Sequence, residues 1–270
     1  MAHCARLAER WGYDEVTSTA AARANACSGA FGACLMAEPL LVADGVAAMR
    51  EAVSIPVTVK HRIGIDREES YAFVRDFVGT VAERGGCEVF IVHARNAWLK
   101  GLSPKQNREV PPLRHAFVHR LKADFPQLTI VLNGGIGSDE AIAEHLTKVD
   151  GVMVGRHAYH EPFAMAGWDA RFLGAVAAAD ASRDEIEERY VEHVESTAWP
   201  AGTSWLAATR HMMGLRNGQA GARALAPGGS DASLRHASPG AVMQQARAAM
   251  AQAAGGATRH DQVHDEPVVA

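Results

Sequence analysis

The first 155 residues alternate between two hydrophobic periods. Short continuous apolar runs at 13–17, 56–60, 88–93, 128–133 and 151–155 read as strands. Between them, over 40–53, 71–82, 117–124 and 139–146, apolar positions return every three or four residues, which predicts helices. Phe73, Val74, Phe77, Val78 and Val81 form the clearest stripe, and residues 2–11 are also helix-like. The strand runs are rich in β-branched residues, as expected when both faces of a parallel sheet are covered. A repeating strand-then-helix order implies right-handed crossovers and an α/β fold.

Two α/β architectures compete. No Gly-x-Gly-x-x-Gly follows the first strand run, which weakens a doubly wound dinucleotide fold. The last two strand runs each end in a glycine turn, Asn133-Gly134-Gly135-Ile136-Gly137 and Gly155-Arg156. That pair matches the phosphate site after strands seven and eight of a (β/α)8 TIM barrel. A full barrel needs eight strands in about 250 residues. Three would have to precede residue 13, so either the barrel is incomplete or the strand assignment is wrong. An incomplete barrel would expose sheet edges, and poor solubility would be expected. After residue 167 the pattern becomes helical at 185–195 and 204–215, which predicts a small helical domain over 168–223. Residues 224–270 are rich in Ala, Gly and Ser and read as a flexible tail with one helix over 241–254.

Composition narrows the function. The net charge of -4 excludes a generally basic nucleic-acid binder, and DNA binding is not expected. Local basic stretches remain: six Lys/Arg against Glu109 alone between Lys100 and Lys122, and Arg210, Arg216 and Arg223 without an acid over 196–230. These fit either a polyanion cleft or a solvated surface. No apolar run is long enough to span a membrane, and no signal-peptide core opens the chain. The four cysteines form no Cys-x-x-Cys pair, so a cytoplasmic protein with reduced thiols is expected. Thirteen histidines show no zinc-type spacing at a strand end, and no metal site is expected.

Candidate chemistry sits at strand ends. Lys60 fits a Schiff base, a fixed charge for an anion, or a side chain snorkelling to water. His93 fits a converging site residue or a buried structural histidine. The glycines of Asn133-Gly134-Gly135 and Gly155 leave backbone N–H groups open, and Arg156 adds charge, which suits a phosphate. The loop 95–112 mixes aromatic, flexible and basic residues, and loops of this length are usually functional.

Several segments resemble bacterial tRNA-dihydrouridine synthases of the A subfamily. They are Gly29-Ala30-Phe31-Gly32-Ala33-Cys34-Leu35-Met36, Val57 to Asp66, Ile91-Val92-His93-Ala94-Arg95, Gly101-Leu102-Ser103-Pro104-Lys105, Leu132 to Ile136, Gly151 to Arg156 and Thr209 to Leu215. The resemblance covers about residues 2–223. It implies FMN-dependent reduction of a D-loop uridine in tRNA, with NADPH as reductant, by a monomer. It assigns Lys60, His93, Asn133, Gly134, Gly135, Gly155 and Arg156 to FMN, and Lys105, Arg108 and Arg223 to tRNA. It implies a (β/α)8 TIM barrel lacking its first three strands, with residues 1–167 as the partial FMN-binding barrel and 168–223 as the tRNA-binding helical domain. The family's proton-donating cysteine falls at Ala21 or Ala22 here, and Cys27 lies several residues away. A non-catalytic tRNA- or flavin-binding remnant is therefore the alternative, and a barrel lyase using Lys60 a third reading.

Overall fold

Five strands form one parallel sheet in the order of the sequence: β1 (Val16–Thr19), β2 (Val57–Arg62), β3 (Val89–His93), β4 (Thr129–Asn133) and β5 (Gly151–Met153). The structure is a computed structural model that describes residues 6, 9–10, 15–19, 32–175, 181–198, 210–220, 222 and 237–261. It divides into two compact units, 1–155 and 156–270. Because strand order never reverses among the described strands, the sheet lacks the switch point of a doubly wound fold.

Strand register explains how the sheet positions a site. Successive residues of a strand point to opposite faces. On one face, Val59 and His61 align with Phe90 and Val92, which align with Ile130 and Leu132; all six are fully buried. They meet the apolar stripes of helices α1 (Pro39–Arg50), α2 (Tyr71–Gly85), α3 (His115–Asp124) and α4 (Asp139–Leu146). The His61 ring lies 5.0 Å from that of Phe77 on α2 and 5.9 Å from that of Phe90. On the opposite face, Arg62, His93, Asn133 and Met153 form one row across four strands, and Lys60, Ile91, Val131 and Gly151 form the row before it. Polar residues cluster at the C-terminal edge of this second face.

Local sequence sets the helix ends. Ser70 caps α2 by accepting from the Phe73 N–H at 3.2 Å, and Gly86 ends it with φ 68. Ser138 caps α4, whose first turn carries Asp139 and Glu140 against the positive helix end. Helix α1 stops at Arg50, short of the apolar pattern that runs to Val53, because Ile55 precedes a proline and must leave the helical region. Strand β1 lies two to three residues beyond the 13–17 pattern, and β2 continues to Arg62. Strand β5 stops at Met153, so Gly155 lies beyond the strand rather than closing it.

The second unit is helical: α5 (Arg156–His160), α6 (Trp168–Phe172), α7 (Arg183–Ser196) and α8 (Pro239–Asp261), with 3-10 segments at Pro162–Gly167 and Arg210–Arg216. A capping box, Ser182 with Glu185, starts α7. Glu187 on α7 is buried and receives Arg216 Nε at 2.8 Å and Arg247 Nε of α8 at 2.8 Å. Arg216 also pairs with Asp184. Arg216, one of three arginines in a stretch that fitted either a polyanion cleft or a solvated surface, is thus committed to an internal ion-pair network. Of the predicted helix at 204–215, residues 210–216 form a 3-10 segment, and 204–209 lie outside the described residues. No helix among the described residues is long and apolar enough to cross a membrane.

Candidate functional site

Lys60 lies on the open face of β2. Its Nζ donates to Asn133 Oδ1 at 2.9 Å, spanning β3 to reach β4. The Asn133 amide in turn donates to the Met153 carbonyl at 2.7 Å, so one side chain joins three strands at their C-terminal ends. Burial, then the charge of Arg62, pulls the Lys60 ammonium down to about 8. Among the described residues the ammonium's partner is a neutral amide oxygen rather than a carboxylate. A half-buried cation so placed favours an incoming anion.

His93 stands beside Asn133 in the same row. Arg62 Nη1 lies 3.3 Å from His93 Nδ1 and 3.1 Å from the Asn107 carbonyl. Burial, then the charges of Arg95 and Arg108, lowers Arg62 only to about 10, so it is cationic at neutral pH. By contrast, His61 faces the helices with its Nδ1 2.6 Å from the Arg62 carbonyl, and burial pulls its pKa down to about 4. It is a neutral core residue.

The turn after β4 closes this corner. Gly134 (φ 109) and Gly135 (φ 75) both adopt backbone that favours glycine. A Cβ on Gly134 would sit 3.1 Å from His93 Cε1 and 3.2 Å from its Nε2. The turn therefore presents bare backbone against the face of the imidazole ring. His115 Nε2 lies 2.8 Å from the Gly134 carbonyl and braces the turn from α3. Gly155 has open space around its Cα and is followed directly by Arg156, the first residue of α5.

The loop after β3 is organised rather than loose. Asn107 is buried; its side chain accepts from the Trp98 N–H and donates to the Trp98 carbonyl, both at 2.8 Å. Asp66, with φ 47, accepts from the Leu99 N–H at 2.8 Å and ties this loop to the one after β2. A 3-10 turn, Gln106–Arg108, leaves Lys105 and Arg108 exposed on either side of buried Asn107. Of the six cations between Lys100 and Lys122, three are engaged: Arg114 with Glu69, Arg120 with Asp124 and Lys122 with Asp150. Lys100, Lys105 and Arg108 remain at the surface.

Lys60, His93, Asn133 and Gly134 thus converge. Arg223, Ala21, Ala22 and Cys27 lie outside the described residues. Sequence reasoning passed over Arg62, Asn107 and His115. Arg62 could have been found, because two residues after Lys60 a strand returns to the same face.

Residues 1–252 match the model of the family described as Dihydrouridine synthase (Dus). A tRNA-dihydrouridine(20/20a) synthase of Vibrio vulnificus (strain CMCP6) is 48% identical over 253 residues, covering 93% of this chain and 77% of the relative. One from Salmonella typhi is 47% identical over 259 residues, 91% of this chain and 74% of its own. One from Escherichia coli (strain K12) is 50% identical over 224 residues, 83% and 64% respectively. With a match that spans nearly the whole sequence, the chain belongs to the dihydrouridine synthase family.

Proposed function

We propose that the chain is an FMN-binding tRNA-dihydrouridine synthase of the A type, acting on D-loop uridine with NADPH as reductant. In this reading the five parallel strands are consecutive staves of a (β/α)8 barrel, and their C-terminal edge is its mouth. Residues 168–223 form the tRNA-binding helical domain. The observation that carries the reading is the Lys60–Asn133 pair beside the bare Gly134 turn and His93. The residues fit the cofactor: a turn that a Cβ would fill leaves backbone for a phosphate, and a half-buried ammonium would offset the charge of an anionic ring. Asn133, Gly134, Gly135, Gly155 and Arg156 would hold the phosphate end, with Lys60 and His93 beside the flavin. Bound FMN supplies the two-electron reducing chemistry. The chain's own groups bind it, orient it and fix charge near it.

The test is FMN titration by flavin fluorescence across pH. Protonated Lys60 attracts the anion, and the ammonium is lost as pH rises through about 8. Affinity should therefore fall by about tenfold between pH 7.5 and pH 9.5, because one unit of coupled pKa shift is tenfold in binding. Lys60→Met should bind about tenfold more weakly at pH 7.5 and show a flat profile. A pH-independent wild type, or a colourless one, would reject the cofactor assignment.

For tRNA, Lys105 and Arg108 are assigned phosphate contacts, with Arg223 as a third. Replacing Lys105 and Arg108 together with Ala should weaken binding to all tRNAs alike. The slope of log affinity against log salt should drop by about 1.4 to 1.8, since each phosphate contact contributes roughly 0.7–0.9. An unchanged slope would remove this loop from the RNA interface. Alanine at the cysteine position favours a second reading, in which the chain binds but does not reduce.

A further inference from the structure

We propose that His115 is a positioning residue for the anionic end of the cofactor: by holding the Gly134 carbonyl it aims the Gly135 N–H at a phosphate, and so makes the chain prefer a phosphorylated flavin. The identity of the ligand rests on the FMN reading above. The aim of the peptide does not.

One peptide unit carries both groups. The Gly134 carbonyl and the Gly135 N–H belong to the same trans peptide, so they point in opposite directions. His115 Nε2 lies 2.8 Å from that carbonyl. A carbonyl oxygen only accepts, so the imidazole donates. With the oxygen drawn toward His115 at the start of α3, the N–H points away from it. Gly135 is exposed, and its N–H has no hydrogen-bond partner among the described residues. A donor already held in one direction suits an incoming anion, because no binding energy goes into turning the peptide.

The surroundings keep the imidazole and the turn in register. The Arg114 N–H donates to the Ala94 carbonyl at 2.8 Å, and the Ala94 N–H donates to the Asn133 carbonyl at 2.8 Å. The residue before His115 and the residue before Gly134 therefore hang from one point just past β3. Leu113 covers a flank of the turn, since a Cβ on Gly135 would run into its Cδ1. Against the His115 ring stands that of buried His145 on α4, with centroids 4.6 Å apart and planes at 68°. His145 Nδ1 in turn lies 3.3 Å from His119 Nε2 on α3. A histidine that only braced the fold would matter equally to every flavin. One that aims a donor matters to the phosphate alone.

The experiment compares FMN with riboflavin, which lacks the phosphate, by fluorescence titration of the full chain. His115→Phe keeps an aromatic ring against His145 and removes the donor. It should weaken FMN by at least about tenfold, the scale of one hydrogen bond to a charged group, and riboflavin by no more than about twofold. His115→Gln, whose amide nitrogen can take the place of Nε2, should restore the FMN-to-riboflavin ratio to within about threefold of wild type. Equal losses for both flavins, or an unchanged ratio in His115→Phe, overturn the proposal. If His115→Phe does not fold, the wild type decides. Its Gly135 amide proton, followed by proton–nitrogen correlation NMR, should move downfield with FMN and with inorganic phosphate and stay in place with riboflavin. An amide indifferent to both anions overturns the proposal. A chain that binds neither flavin while its Gly135 amide responds to inorganic phosphate rejects the cofactor reading alone, and one that binds FMN with an unmoved Gly135 amide rejects the positioning role alone.

Discussion

Gly134→Ala is expected to strip the protein of flavin at concentrations that saturate the wild type. Two costs combine at this position. Alanine at φ 109 is strained by about 1–3 kcal/mol. Its Cβ would also sit 3.1 Å from His93 Cε1, 3.2 Å from Nε2 and 3.3 Å from Nδ1, which presses it onto the face of the ring. The imidazole cannot step aside freely, because Arg62 Nη1 lies 3.3 Å from its Nδ1. The methyl group must therefore displace either the histidine or the turn, and both are assigned to the cofactor. FMN affinity should fall by at least about a hundredfold, the equivalent of roughly 2.7 kcal/mol. Gly101→Ala is the control. Gly101 has a comparable φ of 86 in the same unit, and nothing lies within 4 Å of its would-be Cβ. It should lower the melting temperature by conformational strain alone and leave FMN affinity within about twofold, far inside the hundredfold criterion. Equal flavin loss in both variants would show that backbone strain, not the contact with His93, is what matters, and retention of FMN by Gly134→Ala would place the cofactor elsewhere.

What was legible in the sequence follows from how local each signal is. Helices α2 and α4 announce themselves through an apolar stripe or acidic first turn and a serine cap, all within one segment. Strands β3 and β4 are recognisable because both of their faces are largely covered, which leaves an unbroken apolar run. Lys60 and His93 stand out as polar ends of such runs. Arg62 is less obvious: it follows the buried His61, so the apolar run seems to end at Lys60 although the strand continues. Asn107 gives no signal at all, since its role depends on a loop folding back nine residues to Trp98. Charge counting along the chain also misleads. Arg216 looks like part of an uncompensated basic stretch, but its partners Asp184 and Glu187 lie about thirty residues earlier in sequence. Two-residue and four-residue periodicities are readable from a linear string, whereas a side chain satisfied by a distant helix is not.

Purified chain supplied with NADPH, FMN and unmodified tRNA is expected to form dihydrouridine at no more than a hundredth of the rate of a version with a cysteine restored at position 21 or 22. Reduction of the uracil ring needs a proton as well as electrons, and a positioned general acid contributes about 10²–10⁴ in rate. Alanine offers none, and water is a far weaker acid than a thiol of pKa about 8.5. The cysteines within the described residues do not substitute. Cys87 precedes β3, at the sheet edge opposite His93, and burial pushes its thiol up to about 11. Cys34 sits half-buried in the 3-10 helix Ala33–Ala37 before α1, on no strand end of the site. Cys4 and Cys27, like Ala21 and Ala22, lie outside the described residues, so the comparison must be made in solution. Ala21→Cys and Ala22→Cys are made separately, because a one-residue gap decides which position aligns. Dihydrouridine is counted by mass spectrometry of the digested tRNA, and FMN content is matched between samples so that only the acid differs. One of the two should gain at least a hundredfold while tRNA and FMN affinities stay level. If the chain as it stands reduces uridine well and Cys27→Ser abolishes that activity, Cys27 is the donor and the alignment of this segment is displaced. If it reduces uridine well with Cys27 replaced, the proton comes from a group other than a thiol at these positions, and His93, beside the Gly134 turn, becomes the first residue to remove.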